Sequence, residues 1–310
     1  MSAESLGRHI DLSSPRGYYL DYSQLAKQTV DRDEQGLPAI KTRGGGLVWS
    51  PPLAARTALG SLEIYLDTGN TGLRDRFSNA AQRLIDAMEV LPGSFGGWPM
   101  PEVPRRFSDR LEEGWFSAAA HAECIAVLVR AASLHRHPGA LDAARRAMGA
   151  FHTSVSEGGF LREVGESGDE GGVATLVFIE EYPLHGPPRM TLSSHVLAVW
   201  AMHDYLAVEE DHGARVLLGR CIDGLTFVLD RYDLGYWTAA HFEGGRPRPA
   251  RPVRHETHIL MMDILARMTG SRSFAEAGAR WRAYARDPRN RARARLERAR
   301  WRARLVSPSS

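Results

Sequence analysis

The chain has 310 residues, 43% of them apolar, a formal charge of only +2 and two cysteines. That composition excludes a disordered chain and a disulfide-built scaffold. Overall charge names no partner, and no run reaches the ~20 apolar residues of a membrane span, so a soluble, cytoplasmic protein without membrane insertion is expected.

Residues 1–14 are polar and lack the apolar core of a signal peptide. From there one unit recurs: a helix greasy on most sides, a short polar turn, then a helix with one apolar stripe. The greasy helices are predicted over 53–66, 116–134, 192–206 and 258–268. The turns are Asp67-Thr68-Gly69-Asn70, His135-Arg136-His137-Pro138-Gly139, Glu210-Asp211-His212-Gly213 and Thr269-Gly270-Ser271. Gly and Pro reset the chain there, for want of a Cβ or an N–H. The striped helices repeat apolar residues every 3.6 positions: Phe77, Ala81, Leu84, Met88, Leu91; Leu141, Ala144, Met148, Phe151; Leu217, Cys221, Leu225, Val228; Phe274, Ala277, Trp281, Tyr284. Helices covered on most sides belong inside and striped ones outside. The predicted fold is therefore all-α, an incomplete (α/α) toroid of about four helical hairpins.

Long loops join one hairpin to the next over 92–114, 154–188 and 232–253. Loops of that length tend to carry function. Within the second, 160–164 and 174–180 read as a small β-hairpin. Residues 1–285 form the predicted toroid domain and 286–310 an Arg-rich tail or helix. Nine arginines fall between 286 and 304 against Asp287 and Glu297, a local charge of about +7. Nucleic-acid or membrane binding by that tail is the sharper reading, and a solvated terminal helix the preferred one.

Chemistry-bearing residues gather in three places. Glu180-Glu181-Tyr182-Pro183 ends the second predicted strand, Tyr232-Asp233-Leu234-Gly235-Tyr236-Trp237 follows the sixth helix, and Arg254-His255-Glu256-Thr257-His258 opens the seventh. Each has a plain structural alternative: a strand end, a turn with packed aromatics, a helix start. His255 and His258 share a helical face, but no third ligand accompanies them, so no metal is expected. No phosphate loop, cysteine pair or nucleophile elbow appears, and no cofactor is expected.

With Gly17-Tyr18-Tyr19-Leu20-Asp21-Tyr22, Trp115-Phe116-Ser117, Gly158-Gly159-Phe160 and the run from Ser194 and His195 to Tyr205, these motifs resemble the C-terminal catalytic domain of the D-glucuronyl C5-epimerases. The resemblance runs from about Tyr18 to about Tyr284. It implies a toroid with a cleft at its mouth, and inversion of C5 of a hexuronate within a polysaccharide. It puts Glu181 and Tyr182 on a family glutamate and tyrosine, and Asp233, His255 and His258 on matching positions. Two further family tyrosines fall on Ala240 and Arg254, and an asparagine on Ser193 or Ser194. Alanine moves no proton and arginine stays protonated, so the tyrosine chemistry is rebuilt here. The expected catalytic set is Tyr182, Glu181, His255 and His241. Arg254, Asp233, Tyr236, Trp237, His258, Trp115 and His195 are expected to bind substrate, with Arg254 as anion clamp. The expected partner is an anionic small molecule or oligosaccharide, and an oligomer is allowed. The expected activity is a proton-transfer epimerase or isomerase. The alternatives are a related cyclase or lyase in natural-product biosynthesis, and a non-catalytic anion-binding protein that kept the cleft.

Overall fold

Proline starts two of the four inner helices, because an N–H missing from the first helical turn costs nothing there. Pro51 opens α2 (Pro51–Thr68) and Pro252 opens α8 (Pro252–Thr269). The structure is a computed structural model that describes residues 5–34, 37–90, 95–107, 110–167 and 173–306. Leu91, predicted at the end of a stripe, and Pro92, at the head of the first long loop, lie outside them.

The chain order is α1 (Ser23–Lys27), β1 (Ala39–Lys41), β2 (Leu47–Trp49), α2, α3 (Thr71–Asp86), β3 (Glu89–Val90), β4 (Gly96–Gly97), α4 (Ala118–His135), α5 (Ala140–His152), β5 (Leu161–Ser167), β6 (Val173–Ile179), α6 (Leu192–Leu206), α7 (His212–Val228), β7 (Ala239–Glu243), β8 (Arg246–Pro249), α8, α9 (Arg272–Arg286) and α10 (Pro288–Val306). Four hairpins, α2–α3, α4–α5, α6–α7 and α8–α9, pack as inner and outer helices, with the inner ones side by side in chain order. The fold is an incomplete (α/α) toroid. α4 and α6 meet along their length, whereas α6 and α8 touch over a shorter stretch.

The turns close as their chemistry dictates. Gly69 and Gly270 end α2 and α8 in the left-handed conformation, at φ 69° each. Asn70, Ser117 and Asp211 cap α3, α4 and α7 by accepting the N–H of Gly72, Ala120 and Ala214. The predicted hairpin at 160–180 is β5–β6, paired from Leu161–Ile179 outward. A second substantial hairpin, β7–β8, lies inside the predicted third loop. Its turn is Gly244-Gly245, both at positive φ, a pair that suits a tight two-residue hairpin turn. Helix α8 begins six residues before the predicted start, because Pro252 and not the first apolar residue sets its entry.

Three hairpins share a fixing device. His121, His195 and His255 are each the fourth residue of an inner helix. Each donates from Nε2 to an outer-helix carbonyl 26 residues on: Ala147 at 2.8 Å, Cys221 at 3.0 Å and Trp281 at 3.0 Å. A carbonyl only accepts, so the proton sits on Nε2. An aromatic from the preceding segment lies against each ring: Trp98 at 5.2 Å, Phe178 at 3.9 Å and Trp237 at 3.7 Å. Burial pulls all three imidazoles down to about 4.

The segment Gly17–Tyr22 threads into the ring. Arg130 on α4 pairs with Asp204 on α6 at 2.7 Å, donates to the Gly17 carbonyl at 2.8 Å and stands 5.1 Å from the Tyr18 ring. Tyr19 donates to Asp204 at 2.7 Å and lies 4.6 Å from Trp200. An unpaired charge at this depth would be strongly destabilising, so the strap and the α4–α6 interface depend on each other. Gly60 lets the strap pass: a Cβ there would collide with the Tyr22 carbonyl oxygen. The substitution Gly60→Ala is therefore expected to lower the unfolding free energy by about 1–3 kcal/mol, despite the helix-propensity gain of ~1 kcal/mol. An unchanged urea midpoint would show that the strap detaches freely. Cys124 and Cys221 are buried free thiols, pushed up by burial.

Candidate functional site

All four inner helices point their N-terminal turns at one cleft of ≈ 440 Å³. Pro52 comes from the first turn of α2, Ala119 and Ala120 from that of α4, Ser194 from that of α6 and Arg254 from that of α8. Helix N-termini carry partial positive charge and unpaired N–H groups, and they favour anions. Five guanidinium groups reinforce them: Arg56 on α2, Arg248 on β8, Arg251 and Arg254 at the head of α8, and Arg298 on α10. Among the described residues the cleft wall holds one carboxylate, Glu181. A second cavity of ≈ 490 Å³ shares Arg56, Leu197, Arg251, Arg254 and Arg298 and reaches down to Tyr22, Glu123 and Met261.

Glu181 is 9% exposed and is fixed from both oxygens. Ser117 donates to Oε1 at 2.6 Å, and the Ala119 amide donates to Oε2 at 3.1 Å. A carboxylate at a helix start is stabilised by those donors and by the dipole. Tyr182 follows it into the cleft wall. Its ring is wedged between Phe107, at 4.7 Å, and Trp115, at 5.3 Å. Trp115 itself donates from its indole to the Glu102 carbonyl at 2.8 Å, so it positions Tyr182 from behind. The neighbouring Glu180 points the other way. It accepts the amides of Arg189 and Met190 at 2.9 and 3.0 Å and clamps the return loop, and burial raises its carboxyl.

His241 reaches the cleft from β7 and is 7% exposed. Its Nε2 stands 3.8 Å from Glu243. The imidazole, with Arg189 at 3.0 Å, holds the Glu243 carboxyl down at about 2, so an ionised carboxylate backs the ring. Ala240 lines the cleft beside it. Arg254 donates to Ser193 at the start of α6, which ties α8 to α6 across their narrow contact.

Tyr182, Glu181, His241 and Arg254 thus come together, while the other predicted residues sit elsewhere. His255 is fully buried behind the cleft, between Trp237 and α9, with both nitrogens engaged: Nε2 to Trp281 and Nδ1 accepting from Thr238 at 2.9 Å. His258 is equally buried and bonds the same hydroxyl at 3.0 Å. The shared helical face of the two turns to Thr238. His195 is the α6 scaffold histidine, accepting the Ile179 amide at 3.0 Å. Asp233 ties its loop to α9, accepting from Arg280 and from the Trp281 indole at 3.2 Å each. Tyr236 and Trp237 form the platform for α10, packing with Ala250 and with Ala294 of that helix. Among the described residues no three His, Cys, Asp or Glu side chains group as a metal site, and no helix is long and apolar enough to cross a membrane.

Sequence reasoning missed the arginines that α2, β8 and α10 bring to Arg254, and it missed Glu123. Glu123 is fully buried and accepts from Tyr22 at 2.7 Å and from Arg56 at 2.8 Å. A charged residue inside an otherwise apolar stretch of α4 was the available signal.

Among solved structures the chain is similar to the cellobiose 2-epimerase from Spirochaeta thermophila DSM 6192. The TM-score is 0.53 at 12% identity, covering 76% of this chain and 59% of that one. The present chain therefore spans about three fifths of that chain, and the likeness supports the toroid. Residues 93–283 match the family model described as D-glucuronyl C5-epimerase C-terminus. Hairpins two and three, nearly all of the fourth and the loops bearing Glu181, Tyr182 and His241 fall within that match, and the chain belongs to this family.

Proposed function

We propose that the cleft binds a uronic-acid-containing, or otherwise anionic and polyhydroxylated, substrate and inverts the carbon beside its carboxylate by proton transfer. The observation that carries this is the convergence of Tyr182, Glu181, His241 and Arg254 in one arginine-lined cleft. The C–H bond next to the carboxylate breaks, its proton goes to a base on one face, and the electron pair moves into an enolate. A donor on the opposite face then returns a proton. Tyr182 and His241 are the two acid/base groups, and Glu181 orients the α4 start and accepts from substrate hydroxyls. The arginines and helix N-termini lower the cost of the enolate, which carries more charge than the bound carboxylate.

A second reading, a binding protein that kept the cleft, is favoured by Ala240. It occupies the wall where the family resemblance places a tyrosine. One measurement separates the two. Incubation in D₂O with glucuronate-containing oligosaccharides should place deuterium beside the carboxylate and yield the C5 epimer. Binding without exchange for every uronate tried would leave the second reading.

A further inference from the structure

We infer that Arg189 is a positioning residue for both acid/base groups, holding His241 through Glu243 and Tyr182 through Phe107. Its role in the reaction rests on the proton-transfer reading above, which gives Tyr182 and His241 theirs. Arg189 lies in the return loop between β6 and α6, and its backbone is pinned on both sides. Its amide donates to Glu180 at 2.9 Å, and its carbonyl accepts from the Phe242 amide at 2.7 Å. The residue is buried. A guanidinium stays charged, so burial at that depth is tolerable only beside good partners. Its partners lead to both groups. Nη1 donates to Glu243 Oε1 at 3.0 Å, and the other carboxylate oxygen stands 3.8 Å from His241 Nε2. Its Cζ also lies over the Phe107 ring, 5.1 Å from the centre, and that ring packs at 4.7 Å against Tyr182. A planar guanidinium suits an aromatic face better than an ammonium does.

The carboxylate needs holding. The Glu243 side chain is 30% exposed and sits next to the Gly244-Gly245 turn, so without Arg189 it can turn out to water, which solvates a carboxylate better. Held in line, it favours a protonated imidazole. That matters because the other charges lining the cleft with His241 are mostly positive: Arg56 from α2, Arg248 from β8, Arg251 and Arg254 from the head of α8, and Arg298 from α10. Each of them opposes an imidazolium. Glu181 and Tyr182, at the end of β6, complete the titratable groups that share the cleft wall with the ring among the described residues. An imidazole that can neither gain nor lose a proton cannot serve both directions of an epimerisation.

The test follows the His241 imidazole by NMR titration of the full chain, its signal assigned by its absence in His241→Gln, beside the rate of solvent exchange. Glu243→Gln should move that titration down by about one pH unit. It should also slow exchange about 10–100-fold with KM changed only a few-fold, as a misplaced group does. Arg189→Met separates placement from plain charge. Removing a nearby positive charge would by Coulomb interaction alone raise the titration of the ring. If Arg189 places Glu243, the released carboxylate turns to water and the titration falls instead, by about half a unit or more. Arg189→Lys keeps the charge beside Glu243 but loses the planar contact with Phe107. It should restore most of the titration and leave exchange about 10-fold slow through Tyr182. A rise in Arg189→Met, or an unmoved titration in Glu243→Gln, overturns the inference. Should Arg189→Met not fold, Glu243→Gln and Arg189→Lys decide it. A wild type that exchanges no deuterium sinks the proton-transfer reading while the titrations still report the placement. A wild type that exchanges, with the titrations unmoved, sinks only the placement.

Discussion

Tyr182→Phe is expected to slow exchange at the carbon beside the carboxylate about 10²–10⁴-fold, the usual range for losing a positioned acid/base group. The change removes one oxygen and leaves the ring between Phe107 and Trp115, so stability and substrate affinity should hold. The signature is a fall in kcat with KM changed only a few-fold, because the lost contribution acts in the transition state. A binding protein would show unchanged affinity and no rate to lose. Full retention of exchange would remove Tyr182 from the proton path and leave His241 and Glu181 to carry it. His241→Gln tests the opposite face in the same assay and should block incorporation of deuterium in one of the two directions of epimerisation more than in the other.

Mild acid should unfold this protein. His121, His195 and His255 titrate near 4 when folded and near 6.5 when unfolded. Between those values these three residues bind up to three more protons in the unfolded chain, and His258, also lowered by burial, adds to them, so unfolding becomes easier as pH falls. The stability is fully present above about 6.5 and is lost as pH drops toward about 4. Each shift corresponds to about 3–4 kcal/mol, which together rivals the whole stability of an ordinary domain. The low carboxyl of Glu243, at about 2, adds to the slope in the same direction only below about pH 5, where the unfolded carboxyl begins to protonate. Urea midpoints should fall steeply from about pH 7 to about pH 5. In His195→Gln, which keeps one donor and one acceptor, the slope should shrink by about one proton. Midpoints that stay level across that range would refute the account.

The helical pattern was legible because it repeats and because Gly69, Gly139, Gly213 and Gly270 punctuate it. The hairpin β7–β8 was read as part of a long loop over 232–253, although Gly244-Gly245 marked its turn; its second strand carries Pro247 and Pro249, which interior strands exclude. An edge strand tolerates proline, and β8 is such a strand. At the site, Glu181 and Tyr182 were readable from the family resemblance, which puts a glutamate and a tyrosine at those positions. His255 and His258 were placed in the cleft, but α8 carries polar and apolar residues on every side. Periodicity then gives no rotation for the helix, and tertiary packing turns both imidazoles to Thr238. The gathering of arginines from α2, β8 and α10 depends on contacts between segments far apart in sequence, which no local pattern encodes. The tail was read as a solvated helix for the same reason: its anchor, Ala294, is one small residue in an arginine run.

The histidine staples also set heights. Each fastens the fourth residue of an inner helix to a fixed point on its outer partner, so three inner helices begin at one level. Whatever precedes those helices arrives at that level too, which is how Ser117, Tyr182 and Arg251 come to share a rim from three unrelated loops. The loops can then be rewritten while the ring goes on presenting their residues to the same point in space.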